Sequence, residues 1–258
     1  IDFWFKENQL VITDNGIGLK SPQDLFTIAH SGWDEETRKD QKPFGIGFFS
    51  CVKMANKITV ESNQFRILFD VRNVLEKGLT KVDVEELDPP VKGFRVILED
   101  FTEDFDEWSI NRAVKTVGQY IQDLCIRFNN NEVPKQRFDE SDGSDFAKIV
   151  KVPGLRGWLR PWNYFRDYGT TFDYPTQVLI FYQDRYVKGL VVAPHLAGVI
   201  AITDNDLVDL RAPDRKDFIQ NEKLETLKKR LFNEGKSIAI QILKNGTTKD
   251  IDKYQELI

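Results

Sequence analysis

Two stretches of the chain carry residues whose type and spacing could do chemistry. The first is Asp14-Asn15-Gly16-Ile17-Gly18, which follows the apolar run from Leu10 to Thr13. A strand ending there sets one carboxylate at the floor of a cleft, and two glycines let backbone pass close to a flat ligand. A carboxylate only accepts hydrogen bonds, so it fits the exocyclic amine of adenine and rejects the carbonyl that guanine carries at the same place. Taken alone, Asp14-Asn15-Gly16 is also an ordinary turn, and the residues by themselves leave both readings open. The second stretch is Gly45-Ile46-Gly47, which runs into Phe48-Phe49-Ser50. Glycines ahead of a helix present free backbone N–H groups where the helix dipole favours anions, which makes a phosphate cradle. The other reading is a glycine turn that lets Phe44, Phe48 and Phe49 pack on a sheet. The two are compatible, since such packing would fix the cradle.

The elements that must position these residues follow from the pattern around them. Asp2 to Phe5 and Leu10 to Thr13 are apolar-rich runs separated by Lys6-Glu7-Asn8-Gln9, which reads as a β-hairpin. Ser21, Pro22 and Asp24 make a helix start, with a helix through about Ala29. Residues 31–43 have mixed charge and no sustained period, which predicts a mobile segment and a candidate lid. Phe44 to Ser50 is expected to open a second helix that continues to about Met54, followed by strands at Ile58 to Glu61, Phe65 to Val71, Val82 to Glu86 and Phe94 to Leu98. Ile110, Val114, Val117, Ile121, Leu124 and Phe128 recur at threes and fours, predicting one amphipathic helix from Trp108 to Phe128. Further strands are expected at Gln177 to Tyr182, Leu190 to Val192 and Val199 to Ile202, with a helix from Asn221 to about Leu243. Asp139 to Asp145 reads as a solvated polar loop, since the EF-hand ligand spacing is missing. The fold class is α+β: a two-layer α/β sandwich over residues 1–103, then an α/β unit over residues 104–258.

Composition bounds the function. At 258 residues, with 41% hydrophobic and 30% charged, the chain is long enough for a full core and lies outside the disordered and disulfide-scaffold classes. A net charge of −5 argues against a general polyanion-coating protein, so nucleic acid is not the expected partner. Cys51 and Cys125 lie far apart without CxxC spacing and are expected to be buried small hydrophobes in a reducing compartment. His30 and His195 are too few for a histidine-rich metal centre, and His195 beside Pro194 reads as structural. The most apolar stretch, Gly189 to Ile202, is too short for a membrane span and no signal peptide opens the chain, so a cytoplasmic location is expected. The chain enters a strand pattern directly at Ile1, which is expected to lie inside a longer protein.

The order hairpin, DNGIGL, Thr27-Ile28-Ala29-His30-Ser31-Gly32, lid, FGIGFFS, helix and strands resembles the GHKL ATPases, and within them the ninety-kilodalton heat-shock chaperones. The likeness is specific over residues 1 to about 128 and looser beyond. It implies a Bergerat nucleotide-binding domain followed by a transducer or middle-type domain. ATP with Mg2+ is the implied ligand: Asp14 binds adenine, Gly16 and Gly18 line the base pocket, Gly45 and Gly47 hold phosphates under the lid, and Ser31, Gly32, Ile46 and Phe48 are further nucleotide-binding residues. The segment 206–218 is similar to the chaperone loop that sends an arginine to the γ-phosphate, and Arg215 is its best match, with a charged solvated loop as the other reading. Three departures stand out. The helix carrying the family's water-activating glutamate and magnesium-binding asparagine would precede Ile1, the threonine of the family's GTxVxL strand falls at Phe94, and the lid is shorter. The resemblance implies a conformational ATPase acting on a protein client, with transient homodimerisation. Alternatives are a nucleotide-sensing module without turnover and a MutL-like DNA clamp.

Overall fold

The computed structural model describes residues 1–26, 48–77, 82–162, 177–182, 185–211, 217–255 and 257. The chain divides into two compact units, one of Ile1–Gly118 with Asp123–Pro134, the other of Gln119–Gln122 with Lys135–Ile258.

In the first unit, β1 (Asp2–Lys6) and β2 (Gln9–Asp14) form the expected hairpin. Glu7 and Asn8 at its tip both take positive φ, at 52° and 59°, the turn whose twist matches paired strands. A 3-10 helix, Pro22–Leu25, starts on Ser21, whose hydroxyl and the Asp24 carboxylate cap each other's backbone N–H groups. One helical turn, α1 (Phe49–Val52), leads into β3 (Ala55–Asp70), α2 (Val71–Lys77) and β4 (Asp83–Phe101). The four short strands expected here are therefore two long ones. The Ser62-Asn63-Gln64 polar break is absorbed as a bulge with Asn63 at φ 52°.

Helix α3 (Glu107–Gly118) stops ten residues short of the expected end. The helical period of residues 108–128 is genuine up to Gly118, a poor helix former, and tertiary packing claims the rest. Phe128 is buried in β5 (Arg127–Phe128), which runs parallel to β1 with Phe3 opposite Phe128, and β6 (Asn131–Glu132) closes the ribbon. Leu124 is left exposed, and Cys125 is exposed rather than buried, because that segment is not helical. The sheet order is β3-β4-β2-β1-β5-β6. One face gathers Phe5, Leu10, Ile58, Val60, Val96, Leu98 and Phe128 against Ile110 of α3.

The second unit is built on β7 (Lys148–Val152), β8 (Leu155–Pro161), β9 (Val178–Tyr182), β10 (Arg185–Leu190) and β11 (Leu196–Ile202), in the order β10-β9-β11-β8-β7. Every residue of β11 is buried, as a strand covered on both faces requires. One face packs Leu196, Ile200 and Ile202 against Leu224, Leu227, Leu231, Ile238 and Ile242 of α4 (Glu222–Asn245), whose first turn is capped by Asn221. The other face packs Val199 and Ala201 with Trp158, Phe181, Tyr120 and Phe138. A last short helix, α5 (Thr248–Lys253), ends the unit.

The segment 139–145 is more than a solvated loop. Asp142 holds Arg160, whose side chain is 2% exposed, with 2.8 Å between Oδ2 and Nε. That guanidinium also donates to the Pro161 carbonyl and lies over the Trp158 ring. His195 has the structural role expected, its ring edge-on to Trp162 and its carbonyl accepting from the Trp162 N–H.

Candidate functional site: the loop after the second strand

Strand β2 delivers Asp14 to the end of the first sheet. Alternation along the strand sets Asp14 on the side of Leu10 and Ile12, facing the core, and the register pairs it with Phe94 of β4. The Asp14 carboxylate turns back on its own loop, with Oδ1 accepting from the Gly16 N–H at 2.7 Å. The turn reading of Asp14-Asn15-Gly16 is therefore present in the fold. A carboxylate has about four acceptor positions, so this bond leaves capacity for a donor on a ligand.

The loop is tied down from behind. Ser62, fully buried on β3, donates from Oγ to the Gly93 carbonyl at 2.7 Å and accepts from the Leu19 N–H at 2.8 Å. Asn63, turned by the bulge, donates from Nδ2 to the carbonyls of Leu19 at 2.7 Å and Ile17 at 3.3 Å. Gly18 has φ 71°, and a Cβ there would come 2.5 Å from Ser62 Oγ and 2.6 Å from the Gly93 carbonyl oxygen. Gly93 has φ 85°, and a Cβ there would come 2.2 Å from the Asp14 carbonyl oxygen. Two glycines thus let the Asp14 loop lie against β3 and β4, where other residues would clash. Ile17 projects outward, 79% exposed.

Of the residues proposed from the sequence, Asp14, Gly16 and Gly18 come together in this one loop. Phe48 stands at the start of α1 with its ring against Phe26 and Phe69, at centroid distances of 5.8 and 6.0 Å, in the core cluster. Ser31, Gly32, Gly45, Ile46, Gly47 and Arg215 lie outside the described residues, as do the whole of the candidate lid and Lys216. Ser62 and Asn63 were not foreseen as part of the site. Their signal was a polar pair inside an otherwise apolar strand run, with Ser62 at a core-facing position. Cys51 packs against the same core, and burial pushes its thiol up. Among the described residues, no group of three or more His, Cys, Asp or Glu side chains could hold a metal ion. No helix among them is long and apolar enough to cross a membrane.

With this geometry in hand, the solved ATPase region of Saccharomyces cerevisiae topoisomerase II is a structural neighbour, at TM-score 0.57 and 9% identity over 94% of this chain and 79% of that one. The class is therefore a mixed α+β fold, shared with that ATPase region. Among curated proteins, the chaperone HtpG of Fusobacterium nucleatum is 22% identical over 97% of this chain and 49% of its own length. HtpG of Pseudoalteromonas translucida is 29% identical over 57% of this chain and 24% of its own length, and HtpG of Verminephrobacter eiseniae 33% over 55% and 25%. The chain is thus similar in sequence to HtpG heat-shock chaperones and in fold to a topoisomerase II ATPase region. It spans about half or less of the length of the curated relatives it matches. No protein-family model matches it.

Proposed function

We propose that the chain is the nucleotide-binding part, with the unit that follows it, of a conformational ATPase of the heat-shock chaperone type. Adenine is held by the Asp14 carboxylate, with Gly16 and Gly18 in the base pocket. The phosphates are held by Gly45 and Gly47, with Ser31, Gly32, Ile46 and Phe48 as further nucleotide-binding residues, and ATP would bind with Mg2+. Arg215 of the second unit reads the γ-phosphate, and ATP-dependent closure acts on a protein client in a transient homodimer. The water-activating carboxylate and the magnesium ligand would come from residues upstream of Ile1.

The observation that carries this reading is the Asp14 loop itself: a carboxylate at the end of a core-facing strand position, on a loop fixed by a buried serine and two glycines with positive φ. A fixed acceptor loses less entropy on binding than a mobile one, which is what recognition of a flat base by a single carboxylate needs. A hydrogen bond to a charged acceptor is worth about 1.5–3 kcal/mol, so Asp14→Asn should weaken ADP binding about 10- to 150-fold. Calorimetry with ADP and GDP on both variants is the test. Equal ADP affinity in the two, or tighter binding of GDP by the unaltered chain, removes the proposal.

A second reading, a nucleotide sensor without turnover, is favoured by Phe94. It sets an apolar ring in register with Asp14, where the heat-shock family has a threonine hydroxyl. Phosphate release by a chain extended upstream through the preceding helix separates the two, because the sensor binds ADP without turning ATP over.

A further inference from the structure

The end of the first sheet carries three core-facing side chains in one row. The register sets Asp14 of β2 opposite Phe94 of β4, and Phe94 opposite Ser62 of β3. Directly opposed residues share a face, so the row reads carboxylate, aromatic ring, hydroxyl. The next row inward, Ile12, Val96 and Val60, is paired in the same way and is wholly apolar. Alternation sends the neighbouring polar side chains to the opposite face. There Thr13 stands opposite Arg95, and Arg95 Nη1 lies 3.0 Å from Glu61 Oε2.

Of the two polar groups in the row, the carboxylate is the one with capacity left for a ligand. Ser62 has a single hydroxyl proton, and it is committed to the Gly93 carbonyl at 2.7 Å, while its oxygen accepts from the Leu19 N–H at 2.8 Å. That serine is also fully buried. Asn63, the next residue, commits its amide protons to the Leu19 and Ile17 carbonyls. The Asp14 carboxylate accepts from the Gly16 N–H and retains further acceptor positions. Phe94, between Asp14 and Ser62, is half-buried and packs against the core cluster. Its side chain has neither donor nor acceptor.

A base held against this row meets one acceptor and an apolar surface. The acceptor satisfies an N–H of an exocyclic amine, and no side chain of the row donates to a ring nitrogen. We propose that the chain reads its nucleotide base through the exocyclic amine alone, and that Phe94 is the residue that makes the ring nitrogens beside that amine irrelevant to affinity. The ligand class is then 6-aminopurine nucleotides, with nitrogen or carbon at ring positions 1 and 7. This rests on the nucleotide reading of the Asp14 loop given above. A site built to bond a ligand atom rejects the analogue that lacks it, whereas a site without a donor gains nothing from a ring nitrogen. Taking that nitrogen out of water unpaired is a cost, so C–H in its place is neutral or favourable.

The test is calorimetry of the purified 258-residue chain with ADP, 1-deaza-ADP, 7-deaza-ADP and purine riboside diphosphate, which lacks the amine. Both deaza analogues should bind within about threefold of ADP or more tightly, and purine riboside diphosphate about 10- to 150-fold more weakly. Phe94→Thr, which places a hydroxyl in the row, should favour ADP over at least one deaza analogue by about 2- to 12-fold, the worth of one neutral hydrogen bond. Phe94→Leu, which keeps the row apolar, should bind ADP and both deaza analogues alike. A deaza analogue about tenfold or more weaker than ADP on the unaltered chain, or purine riboside diphosphate as tight as ADP, overturns the proposal while ADP binding stands. Discrimination by Phe94→Leu, or its absence in a Phe94→Thr chain that binds ADP, overturns the role of Phe94. No ADP binding by the unaltered chain, or ADP affinity untouched by Asp14→Asn, removes the nucleotide reading itself and this proposal with it.

Discussion

Ser62→Ala is the most direct probe of how the fold holds Asp14 in place. Its hydroxyl is fully buried and makes two bonds, one donated to the Gly93 carbonyl and one accepted from the Leu19 N–H. Removing it leaves a donor and an acceptor without their partner, each costing about 1–3 kcal/mol when solvent cannot reach it. The Leu19 end lies nearer solvent, so the lower half of that range applies to it, and the total is about 2–5 kcal/mol. Alanine adds no atom that could clash with Gly18. The substitution therefore isolates the hydrogen bonds. Two measurements follow. Denaturant unfolding of the first unit should show the loss, and hydrogen exchange should show the Leu19 amide opening at least about 30-fold more readily, while the amides of β11 in the second unit keep their protection. ADP affinity should fall as well, since the loop must be ordered at the moment of binding. A stability change under about 0.5 kcal/mol with unchanged Leu19 exchange would show that water or backbone movement replaces the latch, and the positioning argument would fail.

Three further outcomes are expected. Asp142→Ala should destabilise the second unit by about 3–5 kcal/mol, because it takes the carboxylate partner from the nearly inaccessible Arg160 guanidinium. Arg160→Met, which removes that charge, should cost less, and a urea titration that reverses this order contradicts the buried-pair assignment. Tyr120 is buried, and burial, with the Asp142 charge second, pushes its hydroxyl pKa up. Its stabilising contribution is complete below the ordinary tyrosine value near ~10 and declines as pH rises from there toward the raised folded-state value, so Tyr120→Phe should lose less stability between pH ~9 and ~12 than the unaltered chain. In a chain extended upstream, Arg215→Ala should leave ADP affinity nearly unchanged while lowering ATP turnover ~100-fold or more. Turnover at the unaltered level in a phosphate-release assay returns that loop to the solvated reading.

Sequence reading succeeded where signals are local. The hairpin of β1 and β2 and the start of α4 at Asn221 depend on residues within a few positions of one another, and both stand as expected. It failed where distant segments compete for the same residues. Ile121, Leu124 and Phe128 continue the helical period of α3, yet Phe128 is taken by a strand partner 125 residues earlier, and no periodicity within the helix could reveal that. Arg160 and Asp142 look like a strand arginine and a loop aspartate until folding removes the arginine from water. In the candidate site, Asp14 was legible because its chemistry is stated by its own side chain. Ser62 and Asn63 were not, because their role is to satisfy backbone groups of a loop more than forty residues away.

The pairing of β1 with β5 also sets an order of events during synthesis. Asp2 and Phe3 find their parallel partners only at Arg127 and Phe128. At about 5–20 residues per second, a ribosome needs roughly 6–25 s to make the intervening chain. Until then β1 has an open edge beside Phe3 and Phe5, and such an edge is a template for pairing with other chains. A fragment ending at residue 103 would keep that edge permanently. It would be expected to aggregate or to recruit a holding factor, while a fragment reaching Pro134 could close its own sheet before release.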